Sequence, residues 1–244
     1  MKMLNIVMRL NKKKLNSEVR YLALNLFFVM KNIISIKILK FSLIDMSFRK
    51  EKKFKLSYSD AALMQKNLIN REMLELHPLR KVNSCYFDNE MMTLFLDSEE
   101  GVLPRKKVRI RWYNNLLNFK KETKISSIEG RYKYSENVYK IRDKSDIYKT
   151  KFFDPTYGKL SPKLIISYER RYFSLDKIRI TMDTNIYYRH FLSKFKRIIA
   201  DQESVMEIKT PNECSDDYIE KIIPYSSSRF SKYSRGILSF NKML

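Results

Sequence analysis

Arg105-Lys106-Lys107-Val108-Arg109-Ile110-Arg111-Trp112-Tyr113 is the stretch on which the reading of the fold turns. Side chains alternate faces along a β-strand, so Arg105, Lys107, Arg109 and Arg111 share one face while Val108, Ile110 and Trp112 share the other. Four like charges side by side repel one another unless something anionic lies among them. Taken alone, such a face is ordinarily a solvated outer surface.

The pattern recurs along the chain, which weakens that ordinary reading. In 48–56, Arg49, Glu51 and Lys53 align opposite Phe54 and Leu56. In 118–125, Lys120, Glu122 and Lys124 align. In 164–173, Tyr168 and Arg170 lie opposite Ile165, Ser167 and Phe173. In 177–183, Arg179, Thr181 and Asp183 lie opposite Ile178, Ile180 and Met182, and in 204–209 Glu207 and Lys209 lie opposite Met206 and Ile208. Several of these polar faces mix cations with a single carboxylate each. Two architectures satisfy this alternation. One is an open sheet with its apolar side covered by helices. The other is a barrel with a charged lumen, which removes exposed strand edges. A lumen of Arg and Lys is costly when empty and suits a chain of phosphates. Sparse glutamates there could hold a divalent metal against phosphate oxygens.

Helices fall between these strands. Ser57 and Asp60 form a helix-start signal followed by Ala61, Met64 and Leu68 at helical spacing. Pro78 marks a break, Val82–Asp88 reads as a strand, and residues 89–97 read as a short helix. Ser215, Asp216 and Asp217 read as the cap and acidic first turn of a helix over Tyr218–Ile223. Trp112 and Cys85 are expected in the core, and His77, just before Pro78, in an exposed turn. Asp183 is expected to pair with Arg179 or Arg111.

Composition bounds what this pattern can serve. The chain has 244 residues, 49 Lys plus Arg against 27 Asp plus Glu, and a formal charge of +22. That length fits one domain with an appendage. Hydrophobic residues make up 44% and aromatics 13%, enough for a core. Two cysteines and two histidines exclude a disulfide framework, a Cys-rich zinc site and multi-His metal chemistry. The charge points to a polyanionic partner. Residues 1–45 carry nine cations and two acids, and leaving them out still leaves +15. This stretch is too interrupted by Lys31, Lys37 and Lys40 for a spanning helix, and no cleavage pattern follows its apolar run. It reads as an N-terminal extension, either an amphipathic surface helix or a start-site artefact preceding Met46.

A set of short motifs in order resembles a known family. They are Phe48-Arg49-x-Glu51-x-Lys53-Phe54, Val82-Asn83-Ser84-Cys85-Tyr86-Phe87-Asp88, Gly101 followed by the Arg105–Tyr113 stretch, Tyr168-x-Arg170-x-Tyr172-Phe173, Arg179-Ile180-Thr181-x-Asp183, Met206-Glu207-Ile208-Lys209 and Ser231-Lys232-Tyr233. Together they resemble the VTC domain, the polyphosphate polymerase domain named from the vacuolar transporter chaperone complex, one of the CYTH-like triphosphate tunnel metalloenzymes. The resemblance implies an α+β fold, a closed antiparallel β-barrel tunnel of about eight strands with surrounding helices and a charged lumen. The tunnel domain would span residues 46–244, with 1–45 as the extension.

The resemblance also implies a reaction: transfer of the ATP γ-phosphate onto a growing polyphosphate chain, with Mn²⁺ or Mg²⁺. Arg109, Arg111, Arg170, Arg179 and Lys232 would be catalytic. Lys53, Lys124, Lys133 and Tyr168 would bind substrate, with Lys107 and Lys209 on the same faces. Glu207 would bind the metal with Glu51 or Glu122. The wider superfamily often opens on Glu-x-Glu-x-Lys. Arg49 stands at the first Glu, a replacement VTC domains share, which favours polymerase over triphosphatase. The phosphate-sensing SPX module and membrane helices of the eukaryotic complex have no counterpart in this sequence. The implied partners are ATP and polyphosphate. The implied setting is cytoplasmic, with the extension as a candidate membrane contact. A triphosphate hydrolase and a non-catalytic polyphosphate binder are the alternatives. A nucleic-acid binder would interleave rings with exposed cations, and the Arg105–Tyr113 cationic face has few.

Overall fold

The computed structural model describes residues 49–114, 118–191, 197–212 and 214–241; the extension at 1–45 lies outside the described residues. Chain order is β1 (Arg49–Leu56), α1 (Tyr58–Ile69), β2 (Leu74–Asp88), α2 (Thr93–Glu100), β3 (Arg105–Tyr113), β4 (Lys120–Ser126), β5 (Arg131–Asn137), α3 (Lys144–Lys149), β6 (Phe152–Asp154), β7 (Gly158–Leu175), β8 (Ile178–His190), β9 (Ile198–Ala200), β10 (Ser204–Pro211), α4 (Asp216–Ile222) and α5 (Lys232–Asn241). The main sheet runs β1-β10-β8-β7-β2-β3-β4-β5, with β6 added on β7 and β9 on β8. Every pairing is antiparallel.

The sheet curls. In a flat sheet β1 and β4 would stand six strand spacings apart, about 29 Å. Yet the charges of Glu51 and Lys53 on β1 act on Lys124 of β4, and Lys53 acts on Lys107 of β3. The ends of the strand order therefore approach one another across a bore. They do not join. The expected closed barrel is corrected to a half-barrel, because no backbone pairing links β1 to β5 among the described residues. Charges on β1 and β4 act on one another across the gap that a ladder would have closed.

The convex face is apolar and covered. Phe54, Met182, Met206 and Ile208 pack under α1 and α4 through Met64, Leu68, Ile219 and Ile222. Cys85, Val108, Ile110 and Trp112 pack with Phe119 and with Ile147 of α3. Helix α1 starts where its signal lies: Ser57 Oγ accepts from the Asp60 N–H at 3.0 Å. Likewise Ser215 Oγ accepts from the Tyr218 N–H at 3.3 Å to cap α4. Helix α5 is different. Its Tyr233 and Ile237 pack on Val82, Tyr86, Leu164 and Ile166, residues of the concave face. Gly236 permits that approach, since a Cβ there would sit 2.5 Å from Leu164 Cδ2.

Candidate functional site

Directly opposed residues of an antiparallel ladder point to the same side of the sheet. Lys53 on β1 faces Glu207 on β10, Glu207 faces Thr181 on β8, and Thr181 faces Tyr172 on β7. Glu51 faces Lys209, and Lys209 faces Arg179. Asp183 faces Arg170, and Arg170 faces Arg80 on β2. Tyr168 faces Val82. Farther along β2, Ser84 and Tyr86 face Arg111 and Arg109 on β3. Arg109 faces Glu122 on β4, and Lys124 faces both Lys107 and Lys133 of β5. Register alone thus gathers the strand-borne candidate residues on one concave face. Lys232 comes from α5, which covers part of that face. All eight strands of the main order contribute at least one cation.

Around Glu122 the cations are held tightly. Arg109 Nε and NH2 lie 2.8 and 2.6 Å from Glu122 Oε2, Arg111 NH1 lies 3.6 Å away, and Lys133 Nζ lies 2.8 Å from Oε1. Burial opposes ionisation of Glu122, but Arg109, Arg111 and Lys133 pull its pKa down to about 2. Arg109 NH1 also donates to the Tyr86 hydroxyl at 2.8 Å. Burial pushes the Tyr86 hydroxyl up, yet Arg109, Arg111, Lys107 and Lys124 outweigh it and bring it down to about 7. Lys107 and Lys124 are lowered to about 8, chiefly by burial, with neighbouring cations adding to the effect.

A second cluster surrounds Asp183, whose side chain is 1% exposed. Arg170 Nε and NH2 grip its oxygens at 2.5 and 2.7 Å, and Lys232 Nζ lies 2.5 Å from Oδ2. These two cations hold the Asp183 carboxyl well below the usual range despite its burial. The expected pairing of Asp183 with Arg179 or Arg111 is corrected to Arg170 and Lys232. Cross-strand register decides this, because Arg179 sits four residues away on the same strand, about 13 Å along it.

Glu51 and Glu207 form a third, wetter group. Their side chains are 21% and 16% exposed, and the same two lysines serve both. Lys53 Nζ lies 3.0 Å from Glu51 and 3.9 Å from Glu207. Lys209 Nζ lies 3.3 Å from Glu207 and 3.9 Å from Glu51. Two adjacent carboxylates on the concave face fit Mg²⁺ or Mn²⁺, hard ions commonly held by one or two carboxylates plus substrate oxygens. Glu122 does not join them: among the described residues no three Asp, Glu, His or Cys side chains converge as a metal cluster.

Four inner-face residues were not singled out as site residues by the pattern. Tyr86 and Arg80 become visible only through register. Ser231 Oγ accepts from Lys107 Nζ at 2.9 Å, and only the Ser-Lys-Tyr motif hinted at it. Tyr172 is ringed by arginines. His77, expected in a turn, is exposed but lies in β2 opposite Tyr172.

A half-barrel of antiparallel strands, with cations from every strand turned toward its bore, belongs to the triphosphate-tunnel, CYTH-like class. The sequence model of the VTC domain matches residues 48–241, and the chain belongs to that family. Solved structures with a similar course include a conserved hypothetical protein from Pyrococcus furiosus, 13% identical over 76% of this chain and 98% of that one, TM-score 0.47. A Vibrio parahaemolyticus protein described as an adenylate cyclase is 16% identical over 79% of this chain and 98% of its own, TM-score 0.46. HpAC1 from Hippeastrum, described as an adenylyl cyclase with dominant triphosphatase activity, is 13% identical over 78% and 95%, TM-score 0.48. No curated protein sequence matches the chain. Among the described residues no helix is long and apolar enough to cross a membrane.

Proposed function

We propose that this domain transfers the γ-phosphate of ATP onto the end of a polyphosphate chain lying in the half-barrel. The carrying observation is the shared concave face of Lys53, Arg109, Arg111, Lys124, Arg170 and Arg179, reached from five strands through one continuous register. The bond from the γ-phosphorus to the β-phosphate bridging oxygen breaks, and a bond from that phosphorus to the terminal oxygen of the chain forms. ADP leaves. The acceptor oxygen is already largely ionised, so a strong protein base is not required.

Phosphoryl transfer depends on positioning and charge neutralisation more than on covalent protein chemistry. Arginine suits the work because its planar donors bind phosphate oxygens in a fork. In this reading phosphates compete with Glu122 for Arg109 and Arg111, and with Asp183 for Arg170 and Lys232. Tyr86 and Glu122 keep the Arg109 guanidinium aimed into the bore. Glu51 and Glu207 would hold a divalent metal, which when bound would offset charge gathering on the leaving diphosphate. Lys53 and Lys209 are then free to turn from the carboxylates toward phosphate. The test is direct: the purified chain with ATP and Mn²⁺ should lengthen polyphosphate. Free phosphate without longer chains would indicate hydrolysis, and chain binding without ATP turnover would reduce the domain to a binding module.

A further inference from the structure

Thr181 is an inner-face residue that the reaction above leaves without a task. It stands in the middle of β8, in Arg179-Ile180-Thr181-x-Asp183, with Ile180 and Met182 turned into the apolar core on either side of it. Thr181 is 5% exposed, and among the described residues its hydroxyl has no hydrogen-bond partner. A buried hydroxyl without a partner is unfavourable. Valine has the same branched shape, suits a strand equally well and carries no such penalty. Packing alone therefore does not account for an oxygen at this position.

The two cross-strand neighbours explain why the hydroxyl is idle. On one side Thr181 faces Tyr172 of β7. The guanidinium carbons of Arg80, Arg170 and Arg179 lie 5.5, 5.9 and 5.9 Å from the centroid of that ring. Arg80 reaches it because the β2–β7 ladder shifts register between His77 and Arg80, and a bulge of this kind re-aims a side chain. Guanidinium groups donate and do not accept, so they give the hydroxyl proton nothing to bind. On the other side Thr181 faces Glu207 of β10. Directly opposed side chains stand about 4.5–5.5 Å apart at Cβ, which brings a hydroxyl within reach of a carboxylate. Yet both Glu207 oxygens are engaged by lysines, Oε1 by Lys209 at 3.3 Å and Oε2 by Lys53 at 3.9 Å. Lys53 stands on β1, across β10 from Thr181, and draws the carboxylate away from the hydroxyl.

The metal reading given above changes this arrangement, and the inference rests on that reading. Lys53 and Lys209 carry the same sign as a divalent ion, so they must give way where one binds. Glu207 then loses its lysine partners. Carboxylates that ligate a metal are themselves held by hydrogen bonds, and the groups that hold them set much of the affinity. We infer that Thr181 is the positioning residue for Glu207: its hydroxyl, idle while the lysines occupy the carboxylate, donates to that carboxylate when Glu51 and Glu207 receive Mg²⁺ or Mn²⁺.

The test titrates the full chain with Mn²⁺ alone and follows the loss of the free-ion electron paramagnetic resonance signal. Thr181→Val should weaken Mn²⁺ binding roughly tenfold, as removal of a group that supports a metal ligand does. Thr181→Ser keeps the hydroxyl and should stay within about twofold of the unaltered protein. Thr181→Val should unfold at no lower temperature, because it removes an unpaired hydroxyl rather than a contact. In a Glu207→Gln background the same change should weaken Mn²⁺ binding no further, since the group it orients is gone. Binding of tripolyphosphate without metal should be the same for Thr181→Val and the unaltered protein. Unchanged Mn²⁺ affinity in Thr181→Val would overturn the inference. Equal losses for the Val and Ser variants, a lowered unfolding midpoint for Thr181→Val, or weakened metal-free tripolyphosphate binding would overturn it too. If Glu207→Gln and the unaltered protein bind Mn²⁺ alike, the metal reading of Glu207 fails first, and the role of Thr181 falls with it.

Discussion

Two pairs of acids face the same bore and live in different circumstances. Glu122 and Asp183 are almost wholly buried, and arginines grip both. Glu51 and Glu207 are partly exposed, and among the described residues their ion pairs are with lysines. The first pair neutralises charge that would otherwise be trapped inside the fold. The second pair keeps oxygen atoms accessible to the bore, with partners that can swing away. Position on the inner face therefore does not assign an acid to metal binding. The kind of cation beside it, and the water around it, make the distinction.

Asp183→Ala should break that comparison most forcefully. It strands Arg170 and Lys232 in a buried site, and removing one partner of a buried ion pair costs about 3–5 kcal/mol. Urea denaturation should show that loss. Glu207→Gln should leave the unfolding free energy from urea denaturation within about 0.5 kcal/mol of the unaltered protein. Metal-dependent turnover should nevertheless fall roughly 100-fold, the several kcal/mol a bound metal can supply to phosphoryl transfer. If Glu207→Gln destabilises the fold as much as Asp183→Ala, the two acid pairs do not differ in role.

Acid titration sharpens the same contrast with a smaller effect. A carboxyl whose pKa falls on folding stabilises the native state above its unfolded value, and that contribution disappears as pH drops through the folded value. For Glu122 the window runs from 4.5 down to about 2. Stability should decline across it, and Glu122→Gln should flatten the decline. Glu51 is also lowered, with burial working against Lys53 and Lys209, but it is far more exposed, so Glu51→Gln should change the slope less.

How much of this was legible in the sequence depends on how each segment alternates. β3, β1 and β10 gather their inner charged residues on one face, with Val108, Ile110 and Trp112, Phe54 and Leu56, and Met206 and Ile208 on the other, so the inner residues follow from the alternation. β5 does not: in Arg-Tyr-Lys-Tyr-Ser-Glu-Asn neither face is apolar, because this edge strand has solvent beside it and buries little. Helix α5 hid for another reason. Gly236 in its middle is a poor helix former, tolerated because the helix must press against Leu164 and Tyr188. The pairing of Asp183 needed cross-strand register, which a single strand's alternation does not carry. The same is true of Tyr86 beside Arg109, and of Arg80, whose inward turn depends on a bulge.

The gentlest expected effect concerns alkaline pH, where the inner cations lose charge before the outer ones. Lys107 and Lys124 titrate at about 8, and the Tyr86 hydroxyl at about 7. Raising pH from 7 to 9 removes positive charge at the two lysines and adds negative charge beside Arg109. Both changes oppose a polyanion, so tripolyphosphate affinity should fall several-fold across this range, by roughly one screened contact per group. Tyr86→Phe cannot ionise and should lose the part of the decline nearest pH 7 while keeping the part near 8. Glu207→Gln should leave this alkaline profile in place, since neither lysine draws its shift from Glu207. An affinity that stays flat to pH 9 would mean that the lysines retain their charge, and that burial of this inner cluster is shallower than its packing indicates.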